Sequence, residues 1–279
     1  MNFPETIHMA VLGAVLKEVE PLFALLKDSV RFQLHGEALL VGIYGSKVLL
    51  VGTTGLGKVN AAVTAAVLLE RFAISEVWNI GCSGAYRAGP LAVGDVLISL
   101  SAFCGDEGVL TTAGAASTRT IGIPVLARDG REYYEGFPLD HNPVMDRIRK
   151  EIPSGCHRGD DLASPDFLSL FPESSGSPEE VAGVSSPFQL FYGPSLTVSM
   201  ASGDAEVADE RFNRYGAYAE NMEGSAVAQT CFRFDVPMVE CRGMSNIAGD
   251  RCKKHWRLES AVAHCHAVLL RRLDMSESI

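Results

Sequence analysis

Short apolar runs alternate with amphipathic stretches along most of the chain. Residues 7–15 form a strand-like apolar run, and 16–26 places apolar side chains at 16, 19, 22, 23, 25 and 26, the spacing of one helical face. Two short strands near 38–44 and 47–51 flank a Gly45-Ser46 turn. Gly55-Leu56-Gly57 opens a predicted helix, rich in Ala, Val and Leu, that runs to about Phe72. Residues 77–80 read as a buried strand ending at Gly81-Cys82-Ser83-Gly84, and 93–101 as another, entered through a Gly94-Asp95 turn. From about 110 to 195 the pattern breaks. Ser, Gly and Pro cluster at 153–155 and 174–186, which predicts long loops around one helix near 144–151. Order returns with 196–202, helices near 207–215 and 223–234, a strand at 238–244 and a closing helix around 258–273. Strands alternating with helices, with a few antiparallel pairs, predict one α/β domain over 1–279. Its central mixed sheet is flanked by helices, and a loop-rich insertion occupies about 110–195.

Composition narrows the function. The 279 residues are 47% hydrophobic and 21% charged, enough apolar content for a packed core and too much for whole-chain disorder. The 24 Lys and Arg stand against 34 Asp and Glu, a net charge of −10, which argues against a nucleic-acid partner and favours a small molecule. Glu5 stands where a secretion signal would carry a cation, and the most apolar stretch, 59–69, is too short to span a bilayer. Neither membrane attachment nor export is expected. Seven scattered cysteines without a CxxC pair suit free thiols in a reducing cytoplasm, and the scattered histidines offer no metal site.

Gly52-Thr53-Thr54-Gly55-Leu56-Gly57-Lys58 matches the GxxxxGK that cradles phosphates in nucleotide triphosphatases. That loop needs a Ser or Thr hydroxyl next for Mg²⁺, and Val59 has none. A tight strand-to-helix turn that uses glycine's backbone freedom is the better reading.

Four pieces fall at the ends of predicted strands, where open α/β sheets place their sites. They are Glu18, Gly81-Cys82-Ser83-Gly84, Asn221-Met222-Glu223-Gly224 and Ser245-Asn246. Taken in order, with Gly55-Leu56-Gly57-Lys58 and Ser202-Gly203-Asp204-Ala205, they resemble the nucleosidase and nucleoside phosphorylase superfamily. The likeness is to 5′-methylthioadenosine/S-adenosylhomocysteine nucleosidases and, more specifically, to futalosine hydrolases. It covers about 8–108 and 197–273, and it implies the nucleoside phosphorylase-like fold.

The resemblance assigns roles residue by residue. Glu18 falls on the carboxylate that activates the attacking water; alone, it reads as a solvated charge beside Lys17 and Glu20. Met222 and Glu223 match the ribose-binding pair, since a carboxylate can accept from both vicinal hydroxyls while a Met packs under the sugar. A Glu at a helix N-terminus is also favoured by the helix dipole, and the two readings are compatible. Asn246 stands where adenine-cleaving relatives carry Asp. An amide donates to N7 and to a 6-oxo group but gives up no proton, which points to hypoxanthine, the base of futalosine. The bland alternative is an Asn ending the strand in a turn. Gly84 and Ser245 fall among the substrate contacts. Glu206 replaces the aromatic that stacks on the base in adenine-specific relatives, leaving Val207 as the apolar neighbour of the base. Arg242, Arg251, Lys253, Lys254 and Trp256 read as recognition of a carboxylate or as a solvated basic turn, and stay outside the catalytic set. Phe167, Phe171, Phe188 and Phe191 read as packing of the insertion rather than as a lid.

The first 86 residues hold only Arg31 and Arg71, neither placed at a strand end to hold phosphate, so water is the expected acceptor. The resemblance thus implies a cytoplasmic, homodimeric futalosine hydrolase of menaquinone biosynthesis, free of cofactor and metal, that releases hypoxanthine. The alternatives are an adenine-releasing nucleosidase acting on 6-amino-6-deoxyfutalosine, 5′-methylthioadenosine or S-adenosylhomocysteine, and an inactive nucleoside sensor.

Overall fold

The computed structural model describes residues 6–112, 114–158, 162 and 186–275. Its frame is a mixed sheet of eleven strands. The strands that position the site are β1 (Met9–Gly13), β2 (Lys27–Leu34), β3 (Glu37–Tyr44), β4 (Lys47–Thr53), β5 (Val77–Ala85), β6 (Val96–Cys104), β7 (Pro187–Thr197), β8 (Ala219–Asn221) and β9 (Met238–Ile247). The helices are α1 (Leu16–Phe23), α2 (Lys58–Arg71), α3 (Pro143–Glu151), α4 (Ala205–Tyr215), α5 (Gly224–Phe234) and α6 (Leu258–Asp274).

The period-two alternation of a strand divides the core into two layers. Met9 and Val11 of β1 face the cluster built with Val19 and Leu22 of α1 and Ala263, Ala267 and Leu270 of α6. Ala10 and Leu12 face the opposite side, onto Ala61, Ala65 and Leu68 of α2 and Val227, Ala228 and Cys231 of α5. Strands buried on both faces read as continuous apolar runs, as MAVLG in β1 does.

The sheet runs β6-β7-β8-β5-β1-β4-β3-β2, and the short strand Gly136–Pro138 extends it beyond β6. β9 pairs in parallel with β5 and antiparallel with β6, closing a ring of β6, β7, β8, β5 and β9. The ring sets the far half of β9 alongside the end of β5 and so brings together residues distant in sequence.

Several expectations change. The first helix ends at Phe23 rather than near 26, and the chain then enters β2, an edge strand whose charged, exposed side chains hid it from an apolar pattern. β5 continues through Gly81-Cys82-Ser83-Gly84 to Ala85, so this segment is strand and not the turn after one. Residues 187–195, read as part of the loops, belong to central strand β7. Gly193 and Pro194, where its register shifts, interrupt the apolar pattern. A Cβ at Gly193 would stand 2.2 Å from the Tyr218 ring. The predicted helix near 144–151 is α3. Phe188 is buried and stacks on His264 with ring centroids 4.6 Å apart, which is packing as expected. Phe167, Phe171 and most of the 174–186 loop lie outside the described residues. No helix of the described residues is long and apolar enough to cross a membrane.

Candidate active site

Glu18 is the third residue of α1, and its carboxylate folds back over the start of the helix. Oε2 accepts from the N–H groups of Ala14 at 2.8 Å and Val15 at 3.3 Å, satisfying donors the helix leaves unpaired. Oε1 reaches across to β5 and accepts from Cys82 N at 2.8 Å. The residue is only 8% exposed, so it is not the solvated charge that its neighbours Lys17 and Glu20 suggest. Burial lifts its pKa above the ordinary value, as does the negative charge of Glu223; the Arg242 guanidinium and the Cys82 and Val15 N–H groups pull against that. A carboxylate that is hard to ionise is a stronger base once ionised.

Arg242 of β9 is the group that gathers the site. It is 1% exposed. Its Nη1 lies 3.7 Å from Glu223 Oε2, its Nε donates to Glu240 Oε1 at 3.1 Å, and its Nη2 donates to Asn79 Oδ1. A Cβ built at Gly81 would fall 2.4 Å from Glu18 Oε1 and 3.0 Å from Arg242 Nη1, so the two charged groups meet over a backbone bare of side chain. Burial works against the Arg242 charge, but Glu240, Glu223 and Glu18 together hold its pKa above the usual guanidinium value. Glu18 and Glu223, some two hundred positions apart in the chain, thus share one buried cation.

Glu223 caps α5 with its backbone while its side chain points elsewhere. Asn221 Oδ1 accepts the N–H groups of Glu223 and Gly224 at 3.1 and 2.8 Å, taking over the capping role. This frees the Glu223 carboxylate, whose Oε1 accepts from Gly57 N at 3.0 Å. Gly57 has φ +90°, open to glycine. The loop that mimics a phosphate cradle therefore turns an N–H to a carboxylate, in keeping with the reading that it is not a nucleotide triphosphatase loop.

Asn246 lies on β9 opposite Gly84 of β5, past a register shift that places Ser245 in a bulge. Both residues are buried. The Asn246 carbonyl accepts from Ser245 Oγ at 2.8 Å, and its amide, assigned by that network, donates to Ile247 O at 2.9 Å. Ser245 Oγ also lies 3.2 Å from Ser83 O. Met222, half-buried, precedes Glu223 in the turn between β8 and α5. Val207 is half-buried in the first turn of α4, where Asp204 Oδ1 caps its N–H at 2.9 Å. A Cβ at Gly249, just beyond β9, would stand 2.3 Å from Asp204 O, so the end of β9 and the start of α4 adjoin.

The match of a family model decides kinship: the model described as the phosphorylase superfamily covers residues 8–273. The chain belongs to the phosphorylase superfamily. Among superfamily relatives, a futalosine hydrolase from Thermus thermophilus is 30% identical over 210 residues, 75% of this chain and 74% of that protein. A 5′-methylthioadenosine/S-adenosylhomocysteine nucleosidase from Mycobacterium bovis is 27% identical over 243 residues, 87% of each chain. The crystal structure of a nucleosidase of the latter kind from Colwellia psychrerythraea, in complex with adenine, shares the fold with a TM-score of 0.73 at 21% identity, covering 98% of this chain and 96% of that one. The mixed sheet flanked by helices is the α/β fold of the superfamily, and with these nucleosidases the chain is an enzyme of the N-glycosyl hydrolase type.

Sequence reasoning set Arg242 aside with the other cations of the late segment. The structure separates them. Arg251 lies over the Trp256 ring at 5.0 Å, Lys253 and Lys254 are exposed, and only Arg242 enters the cluster. The available signal was an arginine inside an otherwise buried strand, which demands carboxylate partners.

Proposed function

We propose that this protein hydrolyses the N-ribosidic bond of a purine nucleoside, with futalosine as substrate and hypoxanthine as the released base. The observation that carries the hydrolytic reading is the pairing of two buried carboxylates, Glu18 and Glu223, around Arg242. Glu18, once ionised, takes a proton from the water that attacks C1′. Glu223 accepts hydrogen bonds from the ribose hydroxyls, with Met222 under the sugar, and its charge favours the oxocarbenium-like transition state. The C1′–N9 bond breaks, and the electron pair leaves with the base. Val207 is the apolar side chain beside it, and Gly84 and Ser245 shape the wall.

The orientation of Asn246 supports the choice of base. Its carbonyl is engaged by Ser245 Oγ, and one amide hydrogen by Ile247 O. The remaining hydrogen is a donor, matched to N7 or O6 of a 6-oxopurine, both of which are acceptors; a 6-amino group would want the carbonyl instead. Seven free cysteines fit a reducing cytoplasm, and futalosine as substrate would place the reaction on the route to menaquinone. We read the functional unit as a homodimer.

The test is release of free base from futalosine, 6-amino-6-deoxyfutalosine and 5′-methylthioadenosine, each with and without phosphate. Hypoxanthine release that is fastest from futalosine and indifferent to phosphate is the expected result. Faster adenine release would overturn the reading of Asn246 and leave the carboxylates their roles. Binding without turnover would make the protein a nucleoside sensor.

A further inference from the structure

Glu240 lies on β9 two residues before Arg242, is fully buried, and touches none of the groups assigned to substrate. Its Oε1 accepts from Arg242 Nε at 3.1 Å and from Asn221 Nδ2 at 3.0 Å, and its Oε2 accepts from Ser195 Oγ of β7. Asn221 passes the restraint on, because its Oδ1 holds the N–H groups of Glu223 and Gly224. Thr197 Oγ1 donates to the same Oδ1 at 3.1 Å and accepts from Ser225 N at 2.8 Å. The packing is tight enough to dictate residue type: a Cβ at Gly224 would stand 1.8 Å from Glu240 Oε1. One carboxylate thereby joins the strand that carries Arg242 to the turn that carries Glu223.

The charge count gives this joint a second consequence. Three carboxylates, Glu18, Glu223 and Glu240, surround a single guanidinium. Whatever share of that positive charge Glu240 neutralises is withheld from Glu18. Around Glu18 the other titratable groups are Cys82 of β5 and His266 of α6. The His266 Nε2 donates to the Glu18 carbonyl at 2.6 Å, and burial lowers the His266 pKa to about 4, so it adds no charge at neutral pH. Around Glu240 the partners are Arg242, Asn221 and Ser195.

We propose that Glu240 is a positioning residue of the hydrolytic site, which locks Arg242 to the Glu223 turn and draws off enough of its charge to keep Glu18 basic. The proposal rests on the reading of Glu18 as the base that activates water.

Glu240→Gln isolates the charge. A Gln carbonyl can accept from both Arg242 and Asn221, and its amide can donate to Ser195 Oγ, whose hydroxyl can turn to Ser101 O, 3.4 Å away. The measurement is the pH profile of kcat/KM for base release by the full chain, wild type first, with a thermal melt of each variant. The acid limb of Glu240→Gln is expected to move to lower pH by roughly 0.5–1 unit, with kcat lower and KM little changed. A variant that folds but loses activity uniformly, its limb unmoved, would reduce Glu240 to a structural role and overturn the proposal. Should Glu240→Gln fail to fold, Ser195→Ala carries the test. It removes a donor from Oε2, turns more of the carboxylate's charge toward Arg242, and is expected to raise the limb; an unmoved limb overturns the proposal. A wild-type protein that releases no base from any purine nucleoside fails the site reading itself, an outcome distinct from either.

Discussion

A carboxylate buried beside a second carboxylate and one cation has its charge state set by neighbours rather than by water, and the residue-scale predictions follow from that. As the proposed base, Glu18 would act only when ionised, and burial holds its pKa above 4.5, so kcat/KM should rise with pH through a limb whose midpoint lies above that value. Activity is lost on the acid side, where the folded enzyme still holds the proton. Glu18→Gln removes the base and should cost about 10²–10⁴-fold in kcat, while a nucleoside analogue still binds; single-turnover base release and calorimetry separate the two. Loss of binding as well would make Glu18 a residue of the fold. At Asn246 the prediction concerns preference. Asn246→Asp supplies a group that accepts from a 6-amino substituent and, protonated, donates to N7. The ratio of adenine to hypoxanthine release should therefore climb by about 10-fold or more, read from paired kcat/KM values.

At the scale of elements, the site exists because β9 runs between β5 and β6. This brings Arg242 beside Gly81 and sets Asn246 opposite Gly84. Gly81 is a close approach, with φ +148° and room for no Cβ before Glu18 Oε1. Gly81→Ala should push α1 off β5, lowering stability by about 1–3 kcal/mol and kcat far more than a surface change would; denaturant melts and base release report each. Much of this was legible in the chain. Glu18, Glu223 and Asn246 stood out by their motifs, and most helices and strands by apolar period. The failures have physical causes. β2 is an edge strand with six of its eight residues exposed, so Val30, Phe32 and Leu34 give only a short apolar alternation among charged neighbours, and β7 is broken by Gly193-Pro194, which a local reading takes for a turn. Arg242 was discounted because, apart from Glu240 two residues before it, its partners come from α1, from β5 and from the turn before α5. No window of sequence contains them, and only strand pairing over long range assembles them. The same holds for Glu240, whose role appears only when Asn221 and Ser195 are seen at its two oxygens.

For the whole molecule, the outward side of α2 is the feature that a monomer leaves unexplained. Its inner side, Ala61, Ala65 and Leu68, packs on the sheet. The outer side is also apolar, with Val59 77% and Val63 50% exposed and Leu56 just before the helix 58% exposed. A helix with apolar side chains on two sides is normally covered on both. Two neighbours enlarge the patch and tie it to the site. Gly57, between Leu56 and the helix, donates to Glu223. Asp106 holds Lys58 at 2.6 Å and Ser199 N at 2.6 Å, which brings exposed Met200 to the same rim. A second copy docked here would dry the rim of the ribose subsite, and this is the homodimer we propose. Burying side chains of this size contributes about 1.5–3 kcal/mol each, so placing charge at two of them should remove most of an interface's surplus stability. The double variant Val59→Glu, Val63→Glu is expected to sediment as a monomer at concentrations where the wild type sediments as a dimer. Its thermal melt should then lose the concentration dependence that a dimer shows. Its kcat/KM should fall with the loss of the partner even though neither residue is among the groups assigned to substrate. A wild type that sediments as a monomer at tens of micromolar would overturn the homodimer, a double variant that stays dimeric would place the interface elsewhere, and either would leave the apolar side of α2 to another partner.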